Sequence, residues 1–128
     1  MNETNLQKYV DIMSWLSNRR SLIADMDSYL VESIPRSHKS SESLVGSGLC
    51  SAFIRLQGKK YSPTIYAGEC SYCTDCQSYG RRICSFGKEI YLVQIYKGDK
   101  QIGWVIQVGS NGSENLRHMV AELVSHGI

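Results

Sequence analysis

Ile90-Tyr91-Leu92-Val93-Gln94-Ile95-Tyr96-Lys97-Gly98-Asp99-Lys100-Gln101-Ile102-Gly103-Trp104-Val105-Ile106-Gln107-Val108 carries the strongest structural signal in the chain. Ile90 to Tyr96 is an apolar run rich in β-branched and aromatic residues. Further on, Ile102, Trp104, Ile106 and Val108 alternate with Gln101, Gly103, Val105 and Gln107, the period of a strand. Between the two runs, Gly98 followed by Asp99 suits a two-residue turn with a positive φ at its first position. The pattern predicts an antiparallel hairpin. A sheet begun this way needs a cover, and Gly109 to Ser113 leads into a predicted helix with Leu116, Met119, Val120, Leu123 and Val124 on one stripe.

Upstream, Cys50 to Leu56 is a short apolar run containing Phe53 and Ile54, and Gly58-Lys59-Lys60 turns it toward Tyr61 to Ala67, which predicts a second pair of strands. Ser37 to Gly48, rich in Ser and Gly, reads as a loop, and Ile34-Pro35 closes the region before it because proline disfavours helical geometry in its predecessor. Thr4 to about Ser33 reads as helix, opened by the capping box Thr4-Asn5-Leu6-Gln7. Leu6, Tyr9, Met13 and Leu16 form one stripe. Leu22, Ile23, Met26 and Leu30 form a second after the polar break Ser17-Asn18-Arg19-Arg20. Two helices packed on the core, or one long helix forming a dimer seam, both satisfy this spacing, the first better because the pattern is too short for a coiled coil. The whole is an α+β domain spanning 1–128. It comprises a helical region 1–33 and a core 49–128, with an antiparallel sheet of about four or five strands and the N- and C-terminal helices packed on it.

At 128 residues the chain matches one ordinary domain, and it can bury roughly two-thirds of its unfolded surface. With 42% hydrophobic and 20% charged residues, disorder is not expected. A net charge of +2 is too small for a nucleic-acid groove, and the doublets Arg19-Arg20 and Arg81-Arg82 suit a solvated surface better than a phosphate clamp. The opening MNETNLQKYV has neither the basic start nor the apolar run of a secretion signal, and no later stretch is long enough to span a bilayer, so a cytoplasmic location and no membrane partner are expected.

Cys70, Cys73, Cys76 and Cys84 follow the spacing C-x2-C-x2-C-x7-C. Short spacers let successive thiolates converge on one ion or cluster at little loop-closure cost. The first three match the spacing by which one loop wraps a [4Fe–4S] cluster, although the fourth departs from the bacterial ferredoxin run and no proline follows it. Zinc with four thiolates is the rival, since C-x2-C is also the zinc knuckle, but two knuckles sharing Cys73 crowd three sulfurs in a way that favours a cluster. Reactive or simply buried thiols are the third reading. Arg81 and Arg82 would lower thiolate pKa values and stabilise an anionic cluster, while Asp75 opposes them. Cys50 lies apart, in a predicted strand, and suits a small core residue better than a ligand.

His38, His118 and His126 are scattered over a loop, the last helix and the C-terminus, with no paired His or carboxylate motif among them. No Gly-rich phosphate loop, HExxH, GxSxG or catalytic carboxylate pair occurs, which argues against an enzyme. A Cys–His nucleophile would need Cys84 or Cys50 to meet His118 in space. The eight tyrosines with Trp15 and Trp104 suit half-buried sheet positions, and could also line a ligand pocket.

The segment Leu49 to Val124, above all Glu89 to Ile106 with its strand, Gly-containing turn and Gln101-Ile102-Gly103-Trp104 strand leading to a helix, resembles a small GAF-type sensory domain. PAS and roadblock-type folds share much of this order. The resemblance implies an antiparallel sheet with a ligand- or cofactor-holding pocket that regulates a partner, and some GAF-like sensors carry cysteine-bound iron–sulfur clusters. The expectation is a sensor module with an iron–sulfur cluster on Cys70, Cys73, Cys76 and Cys84, signalling to a protein partner. A zinc-stabilised adaptor and a small thiol-dependent enzyme are the alternatives. The apolar N-terminal stripes exceed what one small sheet covers, so a homodimer is also expected.

Overall fold

The computed structural model describes residues 3–36, 43–49, 53, 90–108 and 114–127. Helix α1 (Glu3–Ser17) is followed by strands β1 (Arg20–Ala24) and β2 (Tyr29–Ser33), the strands β3 (Ile90–Lys97) and β4 (Lys100–Val108), and helix α2 (Glu114–His126). The four strands form one sheet in the order β2-β1-β4-β3, with every neighbouring pair antiparallel. The hairpin expected at Ile90 to Val108 is present, and Gly98 turns it with φ of 64°, a value a Cβ would make costly.

One irregularity changes the expected alternation. The register steps from Ile95 opposite Gly103 to Tyr96 opposite Gln101, so Ile102 bulges out of the ladder. It packs with the core on the opposite face from Trp104, Ile106 and Val108.

The predicted helix from Thr4 to Ser33 is corrected to helix α1 followed by a β-hairpin. Asn18, with φ of 53°, takes the left-handed conformation that stops α1. Asp25 then reverses the chain, its Oδ1 accepting hydrogen bonds from the backbone N–H of Asp27 at 2.7 Å and of Ser28 at 2.8 Å. β1 lies between β2 and β4 and is buried along its whole length. A strand covered on both faces is apolar at consecutive positions, so Leu22 and Ile23 mimicked a helical stripe while packing on opposite faces of the sheet.

The capping box is also corrected. α1 already includes Glu3, ahead of Thr4, which moves the expected cap position inside the helix, and Gln7 has other partners. Its Nε2 instead donates to Asp11 Oδ1 and to the Glu32 carbonyl oxygen, both at 3.0 Å, pinning α1 to the β2 edge. Phe53, expected in a strand, is helical. The rest of Cys50 to Leu56, and Tyr61 to Ala67, lie outside the described residues.

Both helices cover one face of the sheet, as expected. Leu6, Val10 and Met13 of α1 and Leu116, Val120 and Val124 of α2 pack there against Ile23, Val31, Val93, Ile95 and Val105. The supposed dimer stripe is therefore largely the chain's own core. Leu6 and Met13 are buried, while Leu16, at 72% exposed, faces away with Trp15 and Ile12. The opposite face carries a second core of Leu22, Ala24, Tyr29, Leu44, Phe53, Ile90, Leu92, Trp104, Ile106 and Val108. None of the described helices is long and apolar enough to cross a membrane.

At Gly103 of β4 there is no room beside β1 for a side chain, because a Cβ would overlap the backbone carbonyl oxygen of Ala24. Gly103→Ala should therefore destabilise the protein by about 2–3 kcal/mol, the cost of forcing strands apart in a packed core. An unchanged midpoint in urea would show that β1 and β4 do not pair in this register.

Candidate functional site

Strands β1, β2 and β4 send Leu22, Ala24, Tyr29, Trp104 and Ile106 to the face away from the helices. Phe53 joins them from outside the sheet. Its ring meets Tyr29 edge-on at 6.1 Å between centroids and Trp104 at 5.7 Å and 67°. These are favourable aromatic geometries, and they make a rigid, largely apolar wall. Trp104 is fully buried, yet its indole Nε1 has no hydrogen-bond partner among the described residues. A buried N–H without an acceptor is costly, and it marks a place where an acceptor belongs.

The same face holds an ion pair that sequence reading missed. Glu32 stands opposite Leu22 in the β1–β2 ladder and reaches diagonally to Arg20, whose Nε donates to Glu32 Oε2 at 2.7 Å, with both side chains almost wholly buried. Glu32 Oε1 accepts from the Leu44 backbone N–H at 3.3 Å, so one carboxylate neutralises Arg20 and tethers residues 43–49 to the sheet. Those residues also run along β2: Tyr29 N–H donates to the Ser47 carbonyl at 3.0 Å, and the Tyr29 carbonyl accepts from Gly46 N–H at 2.8 Å. Nothing in a helical reading of residues 20–33 would have brought Arg20 and Glu32 together, because twelve positions along a helix do not bring two side chains into contact. The strand assignment was the missing signal.

Cys50, Cys70, Cys73, Cys76 and Cys84 all lie outside the described residues, with Asp75, Arg81, Arg82 and His38. Among the described residues no three His, Cys, Asp or Glu side chains gather as a metal site. Phe53 and Ile90, the described residues that bracket the segment bearing Cys70 to Cys84, both belong to the core on the face away from the helices. His118 and His126 do each stand four positions from a glutamate, contrary to expectation, pairing with Glu114 at 3.6 Å and Glu122 at 3.0 Å. Both pairs are exposed on α2, on the helix side of the sheet, and such surface pairs contribute little.

A second polar cluster, also missed, is buried under the helices. Gln107 Nε2 donates to Ser17 Oγ at 2.9 Å and to Ser21 Oγ at 3.2 Å, and its Oε1 accepts from Arg117 Nη1 at 3.0 Å. The Arg117 guanidinium lies 4.9 Å from the centre of the Tyr91 ring. Burial pushes the Arg117 pKa below its ordinary value, partly countered by Glu114 and Tyr91. A polar residue in an alternating strand, Gln107, was the available clue, but the sequence offered no means of naming its partners.

No known family model matches the sequence, and no curated protein matches it either. Solved structures do. A cyanobacteriochrome receptor PixJ, determined in the dark and under steady-state illumination, superposes with a TM-score of 0.62 over 98% of this chain and 91% of that one, at 13% identity. The blue-light absorbing form of the Thermosynechococcus elongatus PixJ GAF domain gives 0.61 over 98% and 81%, at 14% identity. At such identities the likeness speaks for the fold, and it agrees with the element order, the two-faced sheet and the paired terminal helices described above. This chain has the α+β fold of a GAF-type sensory domain.

Proposed function

We propose that the protein is a regulatory sensor module that holds an iron–sulfur cluster through Cys70, Cys73, Cys76 and Cys84, on the side of the sheet away from the helices. The observation that carries this reading is the buried, unpartnered Trp104 Nε1, on the face that Phe53 and Ile90 also line. Thiolate and sulfide sulfurs are hydrogen-bond acceptors, and donors to them tune a cluster's potential. An indole N–H lacking an acceptor fits that chemistry. The PixJ structures, of dark and illuminated states and of a blue-light absorbing form, share this fold, which supports the sensor class.

In this reading the four thiolates cross-link the segment they occupy, and the bound cluster makes that cross-link sensitive to oxidation. Trp104 and Ile106 point from β4 toward the cofactor side, while Val105 and Gln107 of the same strand contact the helix layer. A rearrangement on one face thus reaches the helices through a single strand, and the output is a changed contact with a protein partner.

The first partner is a second copy of the chain. Ile12, Trp15 and Leu16 on α1 and Met119 and Leu123 on α2 leave large apolar side chains exposed, Trp15 by 78%. Pairing the helix layers about a two-fold axis would cover them. Deleting residues 1–20 is no test of this, since it would strip Leu6, Val10 and Met13 from the core. Trp15→Glu together with Leu16→Glu should convert a dimer to a monomer by light scattering at about tens of micromolar while the fold is kept. A monomeric unsubstituted chain rejects the pairing.

Anaerobically prepared protein should contain iron and acid-labile sulfide. Cys73→Ser and Cys76→Ser should lose both, Cys50→Ser should keep both, and Trp104→Phe should keep the cluster and lower its reduction potential by removing a donor to sulfur. Full iron and sulfide in the Cys73 and Cys76 variants would overturn the ligand set. A colourless protein with one zinc per chain would establish the zinc-stabilised adaptor in its place, and rapid site-selective alkylation without metal would point to thiol chemistry.

A further inference from the structure

Gln107, at 1% exposed, sits on β4 with all of its amide's main hydrogen-bonding capacity committed, to elements that are otherwise far apart in sequence. One Nε2 hydrogen reaches Ser17, whose own hydroxyl donates to the Met13 carbonyl and so closes the last turn of α1. The other reaches Ser21 of β1, whose hydroxyl donates to the Arg19 carbonyl. The Oε1 holds Arg117 in the first turns of α2.

Arg117 is the weak member of this cluster. It is 4% exposed, makes no ion pair within 4 Å among the described residues, and leaves its Nε without a hydrogen-bond partner. Its charge is met by the Gln107 carbonyl oxygen and the face of Tyr91, both neutral, with Glu114 acting on it as an opposite charge beyond ion-pair distance. A buried cation held by neutral groups gives up much of its hydration without a full return, so the state in which it reaches water lies low in energy compared with the rest of the packed layer.

We propose that the first turns of α2 form a labile latch, closed by Arg117 on Gln107, and that its opening is passed through Gln107 to the last turn of α1. When the latch opens, Arg117 gains water and Gln107 Oε1 becomes a buried acceptor with no donor, which loosens the amide's hold on Ser17. The two helices that carry the exposed apolar side chains are thereby coupled through one side chain rather than only through their contact with each other. This inference rests on the described geometry alone and stands whether or not the cysteines hold a cofactor.

Hydrogen exchange on the full-length chain, resolved by segment, tests it. Arg117→Met keeps length and apolar bulk but removes the buried charge, and should slow exchange in α2 by about tenfold or more relative to the β1 and β4 amides. Gln107→Glu gives Arg117 a carboxylate but withdraws both donors from Ser17 and Ser21, so it should slow α2 while speeding the last turn of α1. Gln107→Leu should speed both. Opposite responses of the two helices in Gln107→Glu are the signature that a merely structural residue would not produce. Uniform changes across all segments in these variants, or faster α2 exchange in Arg117→Met, would overturn the latch.

Discussion

The β1–β4 ladder is the contact on which the remaining architecture depends. It brings together residues such as Ser21 and Gln107, 86 positions apart, and it welds two local hairpins into one sheet with two covered faces. Without it, β1–β2 and β3–β4 would each be an isolated two-stranded ribbon, a form that is barely stable in water. The close approach at Gly103 and the burial of β1 along its length both follow from this pairing. So does the opposition of the helix layer to the aromatic wall, because each face of the sheet needs residues from both hairpins to be continuous.

The polar groups inside the protein are distributed unevenly between those faces. On the aromatic side the charge is balanced: Arg20 meets Glu32, and the spare carboxylate oxygen fastens residues 43–49. On the helix side Arg117 meets a carbonyl oxygen and a ring. Breaking the first pair would strand a buried charge, a heavy cost, whereas parting the second returns a cation to water. The structure thus combines a firmly closed strap on one face with a more easily opened helix on the other.

The C-terminal half of the fold was legible from sequence because β3 is bounded by a Gly-Asp turn and α2 has an apolar stripe, both local features. The N-terminal half was misread from Arg20 to Ser33. Leu22, Ile23, Met26 and Leu30 satisfy a helical spacing by chance, and what makes Leu22 and Ile23 a central strand is the distant partner β4, which no local pattern contains. The Asn18 and Asp25 turns were visible as polar interruptions, although their backbone geometry was not. The site was legible in kind. The cysteine spacing pointed to metal chemistry, whereas nothing in the sequence paired Trp104 with Phe53, whose rings the fold sets 5.7 Å apart.

Among the described residues, β2 ends at Ser33 and the next strand, β3, begins at Ile90. The strands on either side are held by ladders of their own: β2 is fixed by β1, and β3 by β4. Closing a chain between fixed ends costs free energy that grows only with the logarithm of its length, about 0.6 kcal/mol for each doubling. The frame is for that reason nearly indifferent to how much sequence is spliced between its two hairpins. Sequence between the hairpins can lengthen or shorten while the two ladders that hold its ends stay intact, so that stretch can diverge without re-evolving the frame.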